Sequence, residues 1–430
     1  MTVLKYRPFS VPGSADYNAT LAGWKDYVLT VGQLATQYMG AGNFDLEVWN
    51  ELTFGSSFLY INDYYNPALD SNYDETAIWS ALVQATAEVA TANPSVFTGT
   101  LISDGFANTI PWPASSSEPA RVSAISKHVY PVHTTFPIQE QKNPSLNALL
   151  ARESPPKFIP SYSDFFPEYF GVAIQTETFI RDISPMSSNI QGAIHGRYTR
   201  PGNPCWGWVT ECGYDPYYAS VTNPVTALAL KAKSTARFFC FFLNKGCQKV
   251  TIFGTGGGDA RLGIVQDNFL AYCNTNTVYP TDDTSYTSPA LAVTQRITNE
   301  MKLNASRVWL SRELNVISVT DTHNRGQFQG DGTTAHPILY DRDVLTILPF
   351  QSSPNRFVVP YYVMTRKLVP ALTPEPFKIT LTGINPATTK VECYDPIADA
   401  YYPAGVTIAG SNVTISVNAA DYPYLLIITD

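Results

Sequence analysis

Phe44-Asp-Leu-Glu-Val-Trp-Asn-Glu51 is short and apolar enough for a buried strand. A helix precedes it: Trp24, Val28, Val31, Ala35 and Tyr38 recur at steps of four and three, and glycines at 40 and 42 stop the period. A second helix is expected from about Asp74 to Ala92, with Ile78, Leu82 and Val89 inward. Val96–Ile102, Ala124–Tyr130, Trp206–Glu211 and Lys249–Phe253 read as further strands. Pro224 opens a long helix that Gly246 closes, and Ser288-Pro289 caps another carrying Leu291, Val293, Ile297 and Met301. Strands alternating with helices imply a parallel sheet, either a (β/α)8 TIM-type barrel or a doubly wound sheet.

Residues 132–203 form a long irregular insertion, and loops of that length are usually lids or binding walls. Beyond Asn304 the helical period disappears. Val344–Leu348, Arg356–Met364, Phe377–Leu381, Val406–Ile408, Val413–Val417 and Leu425–Ile428 have strand length, with Pro, Gly and Asn turns between them. The expected organisation is an α/β domain over 1–305 and an all-β sandwich over 306–430. Only one helix and a strand remnant, Thr2–Tyr6, precede the strand ending at Glu51. A barrel would therefore lack its first two strands, to be completed by a second chain or a missing N-terminal segment.

Composition narrows the ligand. The 430 residues include 28 Lys and Arg against 36 Asp and Glu, a net charge of −8 with no basic run, which argues against nucleic acid. Only 15 % of residues are charged, while 26 Tyr, 22 Phe and 7 Trp favour neutral polar ligands that stack on rings, sugars above all. No run of about 18 apolar residues exists to span a membrane. The N-terminus, Met1-Thr-Val-Leu-Lys-Tyr6, has no charged region followed by an apolar core, so no signal peptide is read there. Sequons at Asn18, Asn304 and Asn412 would suit a secreted protein, and a secreted or extracytoplasmic location is the expectation. The six cysteines form neither CxxC pairs nor a zinc pattern and read as buried free thiols. No metal or cofactor is implied. Gly254-Thr-Gly-Gly-Gly-Asp259 lacks the Gly-Lys-Ser/Thr of a phosphate loop.

Two glutamates end expected strands: Glu51 in Trp49-Asn50-Glu51 and Glu211 in Val209-Thr210-Glu211-Cys212-Gly213. Parallel-barrel active sites gather at the carboxyl ends of the strands, where every βα-loop opens. Two carboxylates facing across a sugar divide glycoside hydrolysis between them: one protonates the leaving oxygen, the other attacks the anomeric carbon. This chemistry favours the barrel. Glu47, four residues before Glu51 on the same strand face, reads as a buried carboxylate seeking a partner.

Trp-Asn-Glu ending a strand, then His-x-Tyr-Pro, then Thr-Glu-x-Gly ending a later strand, resembles clan A glycoside hydrolases. Within the clan the chain looks most like family 39, which includes β-xylosidases and α-L-iduronidases. The likeness runs from about residue 20 to 255. It implies a retaining O-glycosyl hydrolase acting on an oligo- or polysaccharide, with Glu51 as general acid/base and Glu211 as nucleophile. Asn50 would bond the sugar 2-hydroxyl, and His128 and Tyr130 would line the pocket. Many clan members end the eighth strand with a Trp platform, where this chain has Phe253. The alternative is a catalytically inert carbohydrate-binding or surface protein on a truncated barrel. A thiol hydrolase using Cys212 is a third reading, with no GxSxG elbow and no His beside Cys212 to support hydrolase chemistry of that kind.

Overall fold

The computed structural model describes residues 13–50, 75–103, 119–129, 199–200, 203–204, 206–214, 221–244, 247–254, 256, 263–278, 280, 285–301, 312, 314–321, 345–363, 368 and 370–430. Glu51, Tyr130 and all but three residues of the expected 132–203 insertion lie outside them. The described residues cluster into two compact units. The first takes those up to 128, those of 199–210 and 247–249; the second takes 129, 211–244 and everything from 250 onward.

In the first unit helix α1 (Ala15–Met39) starts where the Ser14 hydroxyl accepts the Tyr17 N–H at 3.2 Å, and it ends at Gly40, whose φ of +90° suits glycine. Its buried stripe is Thr20, Trp24, Val28 and Gly32. This corrects the expected stripe, for Tyr38 is 79 % exposed. The cause is tertiary: a Cβ on Gly32 would lie 2.3 Å from the Phe97 ring, so α1 turns its bare position toward that ring. Helix α2 (Glu75–Ala92) packs against α1, and the Trp24 indole donates to Thr86 Oγ1 at 2.8 Å. Val96 and Phe97 are not in a strand as expected. Pro94, preset for a first helical position, places them in the single-turn helix α3 (Pro94–Phe97).

Five strands form one sheet: β1 (Leu46–Glu47), β2 (Ile102–Ser103), β3 (Ala124–Val129), β6 (Trp206–Cys212) and β7 (Lys249–Ile252), in that spatial order. Between β3 and β6 in the chain stands the antiparallel pair β4 (Thr199–Arg200) and β5 (Asn203–Pro204). Strands β1, β2 and β3 are parallel. Gln248 N–H to Gly207 O and Phe253 N–H to Cys212 O advance together along β6 and β7, so that pair is parallel too. The expected strands thus lie side by side in the expected order, with the β1–β2, β2–β3 and β6–β7 pairs parallel.

The sheet is curled. Thr210 on β6 donates to Glu47 on β1 at 2.8 Å, and Lys249 on β7 is paired with Asp45 just before β1. Three strand spacings separate β1 from β6, roughly 14 Å in a flat sheet, more than these two side chains can bridge. The wall therefore bends as a barrel wall does. Among the described residues its strands number five, three short of the eight of a closed (β/α)8 barrel.

The second unit holds helices α4 (Pro224–Asn244), α5 (Asp267–Thr275) and α6 (Pro289–Met301) and an antiparallel sandwich. One sandwich sheet runs β10 (Phe350–Ser353), β11 (Arg356–Val363), β17 (Tyr424–Thr429), β13 (Lys390–Asp395), β14 (Ala400–Pro403), with β9 (Leu345–Ile347) also on β11. The other runs β15 (Gly405–Ala409), β16 (Asn412–Ala419), β12 (Glu375–Thr382), β8 (Asn315–Asp321). Phe357, Tyr361, Ile379, Ile415 and Leu426 fill the space between them. Polar clamps fix the helices to the first of these sheets: Arg356 on β11 to Glu300 on α6 at 2.7 Å, and Asn244 of α4 to the Pro349 carbonyl at 2.9 Å. Arg312 grips both carboxylate oxygens of Asp430, and that bond holds the Asp430 carboxyl below its usual range.

Cys212, Cys240, Cys247 and Cys393 are free and buried, and Cys273 on α5 is free and exposed. Burial pushes the Cys247 thiol up to about 12 and the Cys240 thiol higher still. Brief iodoacetamide treatment of the native protein is expected to alkylate Cys273 and spare the other four until denaturant is added. Peptide mapping that finds Cys240 modified as fast as Cys273 would mean that α4 does not pack as described.

Candidate active site

At the carboxyl end of β1, Leu46 and Val48 face α1 and α2, and Glu47 between them turns to the other side of the strand and meets Thr210. The expected partner for Glu47 is thus present. The strand is shorter than its sequence suggested, because Trp49 has a φ of +66°, a left-handed backbone that bulky residues rarely adopt. This turn lets Trp49 follow Val48 onto the helix side, where its ring lies 5.6 Å from that of Trp24. The alternation that would put residues 47, 49 and 51 on one face is broken there. The expected common face of Glu47 and Glu51 no longer follows from spacing. Asn50, the next residue, is exposed.

Strand β6 carries Trp208, Thr210, Glu211 and Cys212. Trp208 is buried, its indole donating to Gln248 Oε1 at 2.8 Å with the Lys249 ammonium 4.2 Å from its ring. Glu211, half-buried, is the last residue but one of the strand and follows Thr210, so it leaves β6 on the side opposite to the hydroxyl that meets Glu47. The Cys212 thiol is buried and donates to the Thr251 carbonyl at 3.3 Å, a packing role that leaves no access for a nucleophile. His128 has its backbone next to the end of β3, while its side chain, like Tyr130 and Glu51, lies outside the described residues. Phe253, directly after β7, is exposed.

Sequence reasoning missed the opposite end of the sheet. Asp45 accepts the Leu101 N–H at 2.7 Å and pairs with Lys249, joining the starts of β1, β2 and β7. Arg121 donates to the carbonyls of Phe97 and Thr100 at 2.8 and 2.7 Å beside a cavity of about 370 Å³. Such contacts at the amino ends of parallel strands hold the sheet rather than act on a substrate. An Asp directly before an apolar strand was the one visible sign of them.

No protein-family profile matches the chain, and no curated protein does. Among solved structures it overlaps the catalytic domain of GH30 xylanase C from Talaromyces cellulolyticus, with a TM-score of 0.41 and 10 % identity over 96 % of this chain and 67 % of that one. A glucosidase from Croceicoccus marinus overlaps with a TM-score of 0.41 and 9 % identity, over 95 % of this chain and 74 % of the other. Overlaps this loose carry no weight on fold or activity.

Proposed function

We propose that the chain is a retaining glycoside hydrolase of clan A, nearest in its motifs to family 39, that cleaves O-glycosidic bonds of an oligo- or polysaccharide. The observation that carries this reading is the place of Glu211 along β6: a half-buried carboxylate one residue from the carboxyl end of an interior strand of a curled sheet, the end at which such sites open. Because Thr210 takes the concave face that Glu47 shares, the mechanism requires the strand end to turn Glu211 toward the pocket. The strained backbone at Trp49, directly before Asn50-Glu51, supports it, since left-handed bulky residues gather at functional sites. Glu211 attacks the anomeric carbon while Glu51 protonates the departing oxygen; Glu51 then deprotonates the water that releases the sugar. Asn50 holds the 2-hydroxyl, and His128 and Tyr130 line the pocket. Catalysis belongs to residues 1–305 and an accessory role to the sandwich of 306–430. A polysaccharide substrate suits an extracytoplasmic setting.

Proton NMR of the first product formed from an aryl glycoside tests the mechanism. Retention requires that product to keep the anomeric configuration of the substrate before mutarotation sets in. An inverted first product would overturn double displacement. A chain that cleaves no member of a broad panel of aryl glycosides would overturn the enzyme reading.

A further inference from the structure

Cross-strand neighbours Tyr394 on β13 and Tyr401 on β14 have ring centroids 4.7 Å apart and planes 38° apart. One face of the Tyr401 ring therefore rests on Tyr394, while the residue is 54 % exposed, leaving the other face to solvent. The hydroxyls of both rings are tied down. The Tyr401 hydroxyl donates to Glu300 Oε1 at 2.5 Å, and Glu300 is itself gripped by Arg356 at 2.7 Å. The Tyr394 hydroxyl donates to Asp399 Oδ1 at 2.6 Å, and Arg296 stands 3.4 Å from the same carboxylate. Glu392 and Pro403, paired with each other and exposed, continue the same face of the hairpin.

A rigid open aromatic face rimmed by carboxylates and guanidinium groups matches one class of ligand. A pyranose in its chair presents a flat patch of C–H groups to a ring and a belt of hydroxyls at its edge. The apolar patch stacks, and charged planar side chains bond the hydroxyls. Because the ring is already fixed, little side-chain freedom is lost on binding. We propose that Tyr401 is the platform of a second carbohydrate-binding site, on the sandwich, that takes a pyranose unit of a polysaccharide chain. Stacking on Tyr401 comes first, with Asp399 and Glu392 accepting from hydroxyls. The choice of a sugar as ligand rests on the glycoside-hydrolase reading, but the site takes no part in bond cleavage.

The test uses the full chain carrying Glu211→Gln, so that polymer is not consumed, in native gels containing soluble β-1,4-xylan or soluble β-1,4-glucan. Tyr401→Ala is expected to weaken retardation by at least one polymer about tenfold, the scale of one lost stacking contact. Tyr401→Phe, which keeps the ring and loses only the bond to Glu300, should keep most of the affinity. In the chain with Glu211 intact, neither substitution should change KM for a small aryl glycoside. Should Tyr401→Ala fail to fold, Tyr401→Leu replaces it, with apolar bulk but no ring. Equal retardation of wild type and Tyr401→Ala, equal losses in the Ala and Phe variants, or no retardation by either polymer would each overturn the proposal. Tyr401-dependent retardation in a chain that turns over no aryl glycoside would leave this site standing and count only against hydrolysis.

Discussion

Replacing Asp421 by alanine is expected to destabilise the second unit by about 3–5 kcal/mol, the usual cost of stripping a buried charge of its counter-ion. Lys233 of α4 meets Asp421 Oδ1 at 2.7 Å, with their side chains 5 % and 0 % exposed. The Asp421 carbonyl accepts from Arg237 of the same helix at 3.1 Å. Around them the Lys233 ammonium lies 5.1 Å from the Tyr422 ring and the Arg237 guanidinium 4.4 Å from the Tyr362 ring. An alanine at 421 takes away a carboxylate to which water has no path, and the Lys233 ammonium loses that charge in a low-dielectric setting. With whole-protein stabilities of about 5–15 kcal/mol, that loss is a large fraction of what holds the native state. Urea unfolding followed by near-UV circular dichroism should show a lower midpoint for Asp421→Ala. The double change Lys233→Met with Asp421→Leu should recover most of it, since an apolar pair often replaces a buried ion pair at little cost. A single substitution that leaves the midpoint in place would show that α4 does not bury this pair against the sandwich.

Nothing in the sequence marks Lys233 and Asp421 as partners, because 188 residues separate them. Interactions within one element were legible. Trp24 and Val28 of α1, the Pro224 and Pro289 starts of α4 and α6, and Val293, Ile297 and Met301 of α6 follow from helical period and capping chemistry. The buried sandwich strands were legible as well, since Phe377–Leu381, Val413–Val417 and Leu425–Ile428 put apolar side chains into a packed core. Strands β8, β10, β13 and β14 were not. β8 is exposed along its described length and its Val316, Ile317 and Val319 do not alternate, while β14 reads only Ala-Tyr-Tyr-Pro. The face of α1 depends on a ring from α3 meeting Gly32, and the early end of β1 on a backbone turn at Trp49. At the site, Glu47 was legible as a carboxylate in need of a partner, but Thr210, 163 residues on, becomes that partner only when the sheet curls.

Glu211→Gln is expected to lower kcat/KM on every glycoside by at least about 10⁴-fold, as the loss of a covalent nucleophile does. An amide of the same shape keeps the packing of β6 and, in the proposed mechanism, removes the negative charge that attacks the anomeric carbon. Glu51→Ala should behave differently. A substrate with an activated phenol as leaving group needs no protonation, so the first step survives and the glycosyl ester on Glu211 accumulates. External azide, which needs no general base, should then restore turnover and yield a glycosyl azide of retained configuration. The contrast rests on the opposite demands that the proposed double displacement makes: its nucleophile has to be ionised and its acid protonated in the first step. Glu47→Gln is the internal control. Glu47 bonds Thr210 on the side of β6 away from Glu211, so its loss should cost stability and leave the response to azide untouched. Turnover that survives Glu211→Gln but disappears with Glu47→Gln would move the nucleophile to the Thr210 side of the sheet. Wild-type turnover of the activated substrate by Glu51→Ala without azide would remove Glu51 as the acid/base.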